Sequence, residues 1–236
     1  KIEDELAIDH TVYTVDLLGC GRSDKSSITY TNFVYVQMIS DFIKKIIGQK
    51  TDVIASGFSG SFVTMACHNE KELFNKIMLV NPPSLTQLKQ MPNRKDRLLK
   101  AALEIPIFGT LVYHMIVSRD NINNLFIEKM YFNPFHVDNQ MADAYYEAAH
   151  KGGYYTRFLY SSLAAKYINI NICHALKALD NSIYIVEGET EPNGKAVTDD
   201  YCASNPAIEV SVLKETKHLP HVEAPEAFLE QVKIFF

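Results

Sequence analysis

The chain has 236 residues, 47% of them apolar and 22% charged, enough to bury a sizeable core in one large domain or in one domain that carries an insertion. A formal net charge of −5 without any densely basic stretch argues against a nucleic-acid partner, and no run of about 18 apolar residues offers a membrane span. The four cysteines, Cys20, Cys67, Cys173 and Cys202, show neither C-x-x-C nor zinc-type spacing and read as thiols of a reducing, cytoplasmic compartment.

In chain order, the sequence opens on Lys1, and KIEDELAIDH has the pattern of a helix end, so a further segment is expected upstream. Residues 11–16, TVYTVD, are β-branched and aromatic and predict a buried strand. A glycine-punctuated loop, LLGCGRSD, follows. Residues 31–48 place Phe33, Val36, Ile39, Phe42, Ile43, Ile46 and Ile47 at helical spacing, with Thr31 or Asn32 as cap and Gly48 as stop. DVIAS (52–56) predicts a second strand, residues 60–72 a helix, and KIMLVNPP (76–83) a third strand halted by its prolines.

Strand, helix, strand, helix, strand is the rhythm of a mostly parallel sheet flanked by helices, an α/β fold. The rhythm breaks at residue 84. From there to 179 the pattern is helical and rich in Tyr and Phe, which predicts an inserted helical cap between core segments 1–83 and 180–236. SIYIVEG (182–188) and IEVSVLKE (208–215) resume the strands, VTDDYCASN lies between them as a short helix, and APEAFLEQVKIFF closes as a helix with Pro225 in its first turn.

ASGFSGSF (55–62) poses the question of chemistry. A nucleophile held on an abrupt strand-to-helix turn needs small residues two positions before and after it. Ser59 has Gly57 and Ser61 there; Ser56 has Ile54 two before it, and Ser61 has Val63 two after it. Ser59 is therefore the candidate nucleophile. Its base should lie at the carboxyl end of a strand, where open α/β sheets place their sites. His218 does so directly after IEVSVLKE, with His221 as competitor. Glu191, past the turn that ends SIYIVEG, is the acid that can orient the imidazole, ahead of Asp199 and Asp200 on the next helix. No motif calls for a metal or an organic cofactor.

These stretches together resemble the α/β-hydrolase fold family over nearly the whole chain. VDLLGCGRSD resembles the family's D-x-x-G-x-G-x-S motif through Asp16, Gly19, Gly21 and Ser23; SGFSGSF resembles its nucleophile elbow, VEGETEP its acid loop and KHLPHVEAPEAFLEQVKIFF its histidine loop and last helix. The resemblance implies a Ser59–His218–Glu191 triad, an acyl-enzyme, and an oxyanion hole made partly by the backbone N–H of Gly60. It also implies a second oxyanion donor from an earlier loop, often marked by His-Gly, which this sequence does not contain. The implied substrate is a small acyl compound, most simply a carboxylic ester. The alternatives are an amide hydrolase or aminopeptidase, for which Glu128 or Glu147 of the insertion would bind the amine, and a ligand-binding homologue without turnover.

Overall fold

The computed structural model describes residues 2–137 and 139–236. Four strands, β1 (Thr51–Ser56), β2 (Phe74–Val80), β3 (Ile183–Gly188) and β4 (Glu209–Leu213), pair in that spatial order and are all parallel. The register sets Ser56 beside Val80, Val80 beside Val186 and Gly188 beside Leu213, so the carboxyl ends of the strands form one rim.

Side chains alternate across the sheet, and each face meets its own cover. Ile77, Leu79, Ile183 and Ile185 face helices α1 (Asn32–Phe42) and α2 (Phe58–Asn69), through Tyr35, Phe62, Val63 and Ala66 among others. Met78, Val80, Tyr184 and Val186 face the C-terminal helix, through Phe228 and Val232. Every residue of β3 is buried, as expected of a parallel strand covered on both sides.

Between β2 and β3 the described residues contain no strand. The principal helices there are α3 (Arg94–Glu104), α4 (Pro106–Ile116), α5 (Asn139–His150), α6 (Arg157–Ala164) and α7 (Cys173–Ala178). Asn93 and Asp96 form a reciprocal capping box at the start of α3, and Pro106 opens α4 where its missing N–H costs nothing. The buried Arg157 donates to the carbonyl of Glu104 and the hydroxyl of Thr110, holding α6 to α3 and α4. The two ends of this stretch pack into the main core: Leu85 and Leu88 at one end, Ile168, Ile172 and Leu176 at the other. The chain ends through α8 (Gly194–Ser204) and α9 (Pro225–Phe235).

The expected strand at residues 11–16 does not form. The segment joins no ladder among the described residues, and Tyr13 is 47% exposed. β composition measures fit to a pleated, half-buried surface, and a strand exists only through a partner; β1 pairs with β2 alone. The motif that follows does close on itself. Asp16 accepts from the backbone N–H of Arg22, and Ser23 donates to the Asp16 carbonyl. Gly21 has φ +46, and a Cβ there would stand 2.3 Å from the Asp16 carboxyl, so only glycine fits.

No single helix among the described residues is long and apolar enough to cross a membrane.

Candidate active site

The rim carries the site. β3 ends at Gly188 and the chain turns back at once, with the N–H of Glu191 donating to the Gly188 carbonyl. The turn continues into α8 through Asn193, a left-handed residue. The loop after β4 brings His218 to the same place. His218 Nδ1 lies 3.1 Å from Glu191 Oε1. A carboxylate only accepts, so Nδ1 carries the proton of this pair and Nε2 is left as an acceptor. The expected acid and base are thus brought together across 27 residues of chain.

His221, the competitor, is held differently. Burial, then the neighbouring His218, push its pKa down to about 4, and its ring packs edge-on against Phe228 of α9. It is a neutral packing residue.

Asn81 fastens the rim. It lies one residue past β2 at φ +43 and is buried. Its Nδ2 donates to the carbonyls of Lys217 and His218, at 2.8 and 3.0 Å, and its Oδ1 accepts from the N–H of Gly188 at 3.0 Å. One side chain therefore ties the end of β2 to the end of β3 and to the histidine loop. Glu223 adds a second tie, accepting from the N–H of Lys217 and of Phe132.

The elbow departs from expectation. The strained residue is Gly57, at φ +58 and ψ −132. Its N–H makes the last rung to Val80, and its carbonyl accepts from the N–H of Gly60 at 3.1 Å. The helix begins at Phe58, two residues earlier than the sequence suggested. Ser59 therefore sits within the first turn of α2, and its hydroxyl donates to the Ser56 carbonyl at 2.7 Å. The Gly60 N–H is likewise spent on Gly57, so it is not the free donor an oxyanion hole needs. The N–H of Phe58, first residue of the helix, has no intrahelical acceptor.

A cavity of about 380 Å³ opens at this rim. Gly57, Phe58, Asn81, Glu187, Glu191 and His218 line it; Ser59 does not. The insertion contributes Ser84 and Gln87, and none of its aromatic rings reaches the wall. A Cβ built on Gly57 would meet nothing within 4 Å, so the vertex of the elbow faces open space. Three residues escaped the sequence reading. Gly57 satisfies the small-flank rule through Ala55 and Ser59 just as Ser59 does through Gly57 and Ser61, and that overlap was the available signal. Asn81 and Glu187 offered none beyond residue type.

A model of the α/β-hydrolase family matches residues 2–231. No curated protein matches the chain. Among solved structures, it is similar to a carboxylesterase from the thaumarchaeon Nitrososphaera gargenis, at 16% identity and TM-score 0.67 over 93% of this chain and 77% of that one. It is also similar to 2-hydroxy-6-oxo-6-phenylhexa-2,4-dienoate hydrolase from Rhodococcus sp. strain RHA1, at 16% identity and TM-score 0.71 over 94% and 78%. A third similar structure is a bromoperoxidase from Bacillus anthracis, at 11% identity and TM-score 0.71 over 93% and 79%.

Proposed function

Because the chain belongs to the α/β-hydrolase family, we propose that it hydrolyses a carboxylic ester or related acyl compound, with His218 as general base and Glu191 as the acid that orients it. The observation that carries this reading is the 3.1 Å contact between His218 Nδ1 and Glu191 Oε1 on the wall of the rim cavity. It leaves Nε2 as the proton acceptor, which is the arrangement a general base requires.

The nucleophile that best suits the backbone is water in the open space over Gly57. Nε2 takes one proton from the water as its oxygen bonds to the acyl carbon. The imidazolium then returns that proton to the departing alkoxide as the acyl–oxygen bond breaks, giving acid and alcohol. The N–H of Phe58, at the positive end of α2, is the donor offered to the developing oxyanion.

A second reading keeps the acyl-enzyme of Ser59. What favours it is the position of that hydroxyl, half-buried in the first turn of α2 and two residues past Gly57. It requires the serine to leave the Ser56 carbonyl and reach His218.

The test is hydrolysis of p-nitrophenyl butyrate by the folded protein. His218→Ala is expected to lower kcat/KM by about 10²- to 10⁴-fold, and Ser59→Ala to leave it within a few-fold. Loss on Ser59→Ala selects the acyl-enzyme. Absence of turnover on both ester and amide panels contradicts the proposal and selects a ligand-binding homologue.

A further inference from the structure

The cavity holds an ionisable group that the hydrolytic reading does not use. Glu187 is the next-to-last residue of β3, is 5% exposed, and lines the cavity together with Glu191. Its Oε2 is buried and has no hydrogen-bond partner among the described residues, and the same holds for Oε2 of Glu191. The carboxyl lies close against the start of α8: a Cβ on Gly194, its first residue, would fall 2.0 Å from Glu187 Oε1. Among the described residues, no lysine or arginine lines the cavity. Apart from the Thr198 hydroxyl beside Glu187, the described residues of this wall give these two buried acceptors no hydrogen bond. Leaving such groups unpaired is costly, and a ligand that supplies several N–H donors on one positive centre answers both.

We infer that Glu187, with the free oxygen of Glu191, binds an ammonium group on the substrate, so that the site takes acyl compounds bearing an amine, such as amino-acid esters and amides. The inference rests on the hydrolytic reading for the word substrate, but the binding itself stands apart from turnover. A metal ion suits the place less well, since no three His, Cys, Asp or Glu side chains converge to hold one among the described residues. Glu128 and Glu147, the acidic residues that the amide alternative drew from the insertion, are both exposed and line no part of this cavity; Glu187 takes the role assigned to them.

The protonation of Glu187 gives the inference a second handle. Burial pushes its carboxyl above the ordinary range, the Thr198 hydroxyl works against this, and Glu191 and Asp199 add repulsion. The empty site therefore disfavours the charged form relative to water. An arriving ammonium favours the carboxylate, so affinity for the ammonium form rises with pH across the range in which Glu187 titrates.

The experiment is calorimetric titration of the full chain with phenylalaninol and with 3-phenylpropan-1-ol, which differ only in the amine and carry no acyl bond to cleave. The expected result is at least tenfold tighter binding of phenylalaninol at pH 7, with a preference that shrinks as pH falls. Glu187→Gln should bring the two affinities within about twofold. The wild-type pH series keeps the test intact if that variant does not fold. Equal affinities in the wild type, binding of neither ligand at millimolar concentration, or a preference that survives Glu187→Gln would overturn the inference. Each arm is read without turnover, so an inactive protein that prefers the amine contradicts the hydrolytic reading alone, and an active one that ignores it contradicts only this inference.

Discussion

At the carboxyl rim of the sheet, Asn81 and Glu187 are buried and the connecting loops are tied to one another through Asn81 and Glu223. In the helical insertion, Ile107 of α4 is 86% exposed and Phe135 is 95% exposed, and other rings pack among themselves, as Phe126 does with Tyr131 and Tyr145. The contrast teaches where specificity resides. A wall built from strand ends holds its side chains in place, because each loop is fastened to a ladder that cannot shift without breaking several bonds. The insertion contributes two polar residues, Ser84 and Gln87, to the cavity wall.

Substitutions can break this contrast, and the largest effect belongs beneath the rim. Leu79 is fully buried on β2 and belongs to the main core, so Leu79→Ala should cost about 2–5 kcal/mol, measured by urea denaturation. Leu111 on α4 is exposed, so Leu111→Ser should stay within about 0.5 kcal/mol of the wild type in the same assay. Equal costs would dissolve the distinction between the two regions.

A smaller effect sharpens it. Asn81→Ala removes three hydrogen bonds and leaves the Gly188 N–H and two carbonyls without their partner. The expected cost is about 1–3 kcal/mol, with a fall in kcat that exceeds the change in KM because His218 loses its fastening. A stable variant with unchanged kcat would show that the histidine loop holds itself.

Much of this was legible in the sequence, for physical reasons. β2 and β3 announce themselves because apolar runs ended by Gly or Pro have few other solutions, and β4 because β-branched Val210 and Val212 alternate with polar residues. Glu191 and His218 were legible because each directly follows such a run, and the sheet delivers both to one rim. The segment at 11–16 misled because propensity carries no information about a neighbour. The elbow misled by two residues. The frames Ala55-x-Gly57-x-Ser59 and Gly57-x-Ser59-x-Ser61 both satisfy the steric rule, and only the ladder's last rung at Gly57 and the helix start at Phe58 choose between them. Glu187 was hidden because a strand buried on both faces has no alternation to read. Asn81 was hidden because its partners lie more than a hundred residues away.

The central claim is that the vertex of the elbow is Gly57 and carries no side-chain nucleophile. Labelling with a fluorophosphonate probe, read by intact mass and peptide mapping, tests it most directly. A Cβ at residue 57 has room, and the left-handed strain it takes on, about 1–3 kcal/mol, is of the kind active sites hold. The account predicts that the wild type stays unlabelled and that Gly57→Ser gains a label at residue 57. A wild type labelled at Ser59, with the label lost in Ser59→Ala, would contradict it.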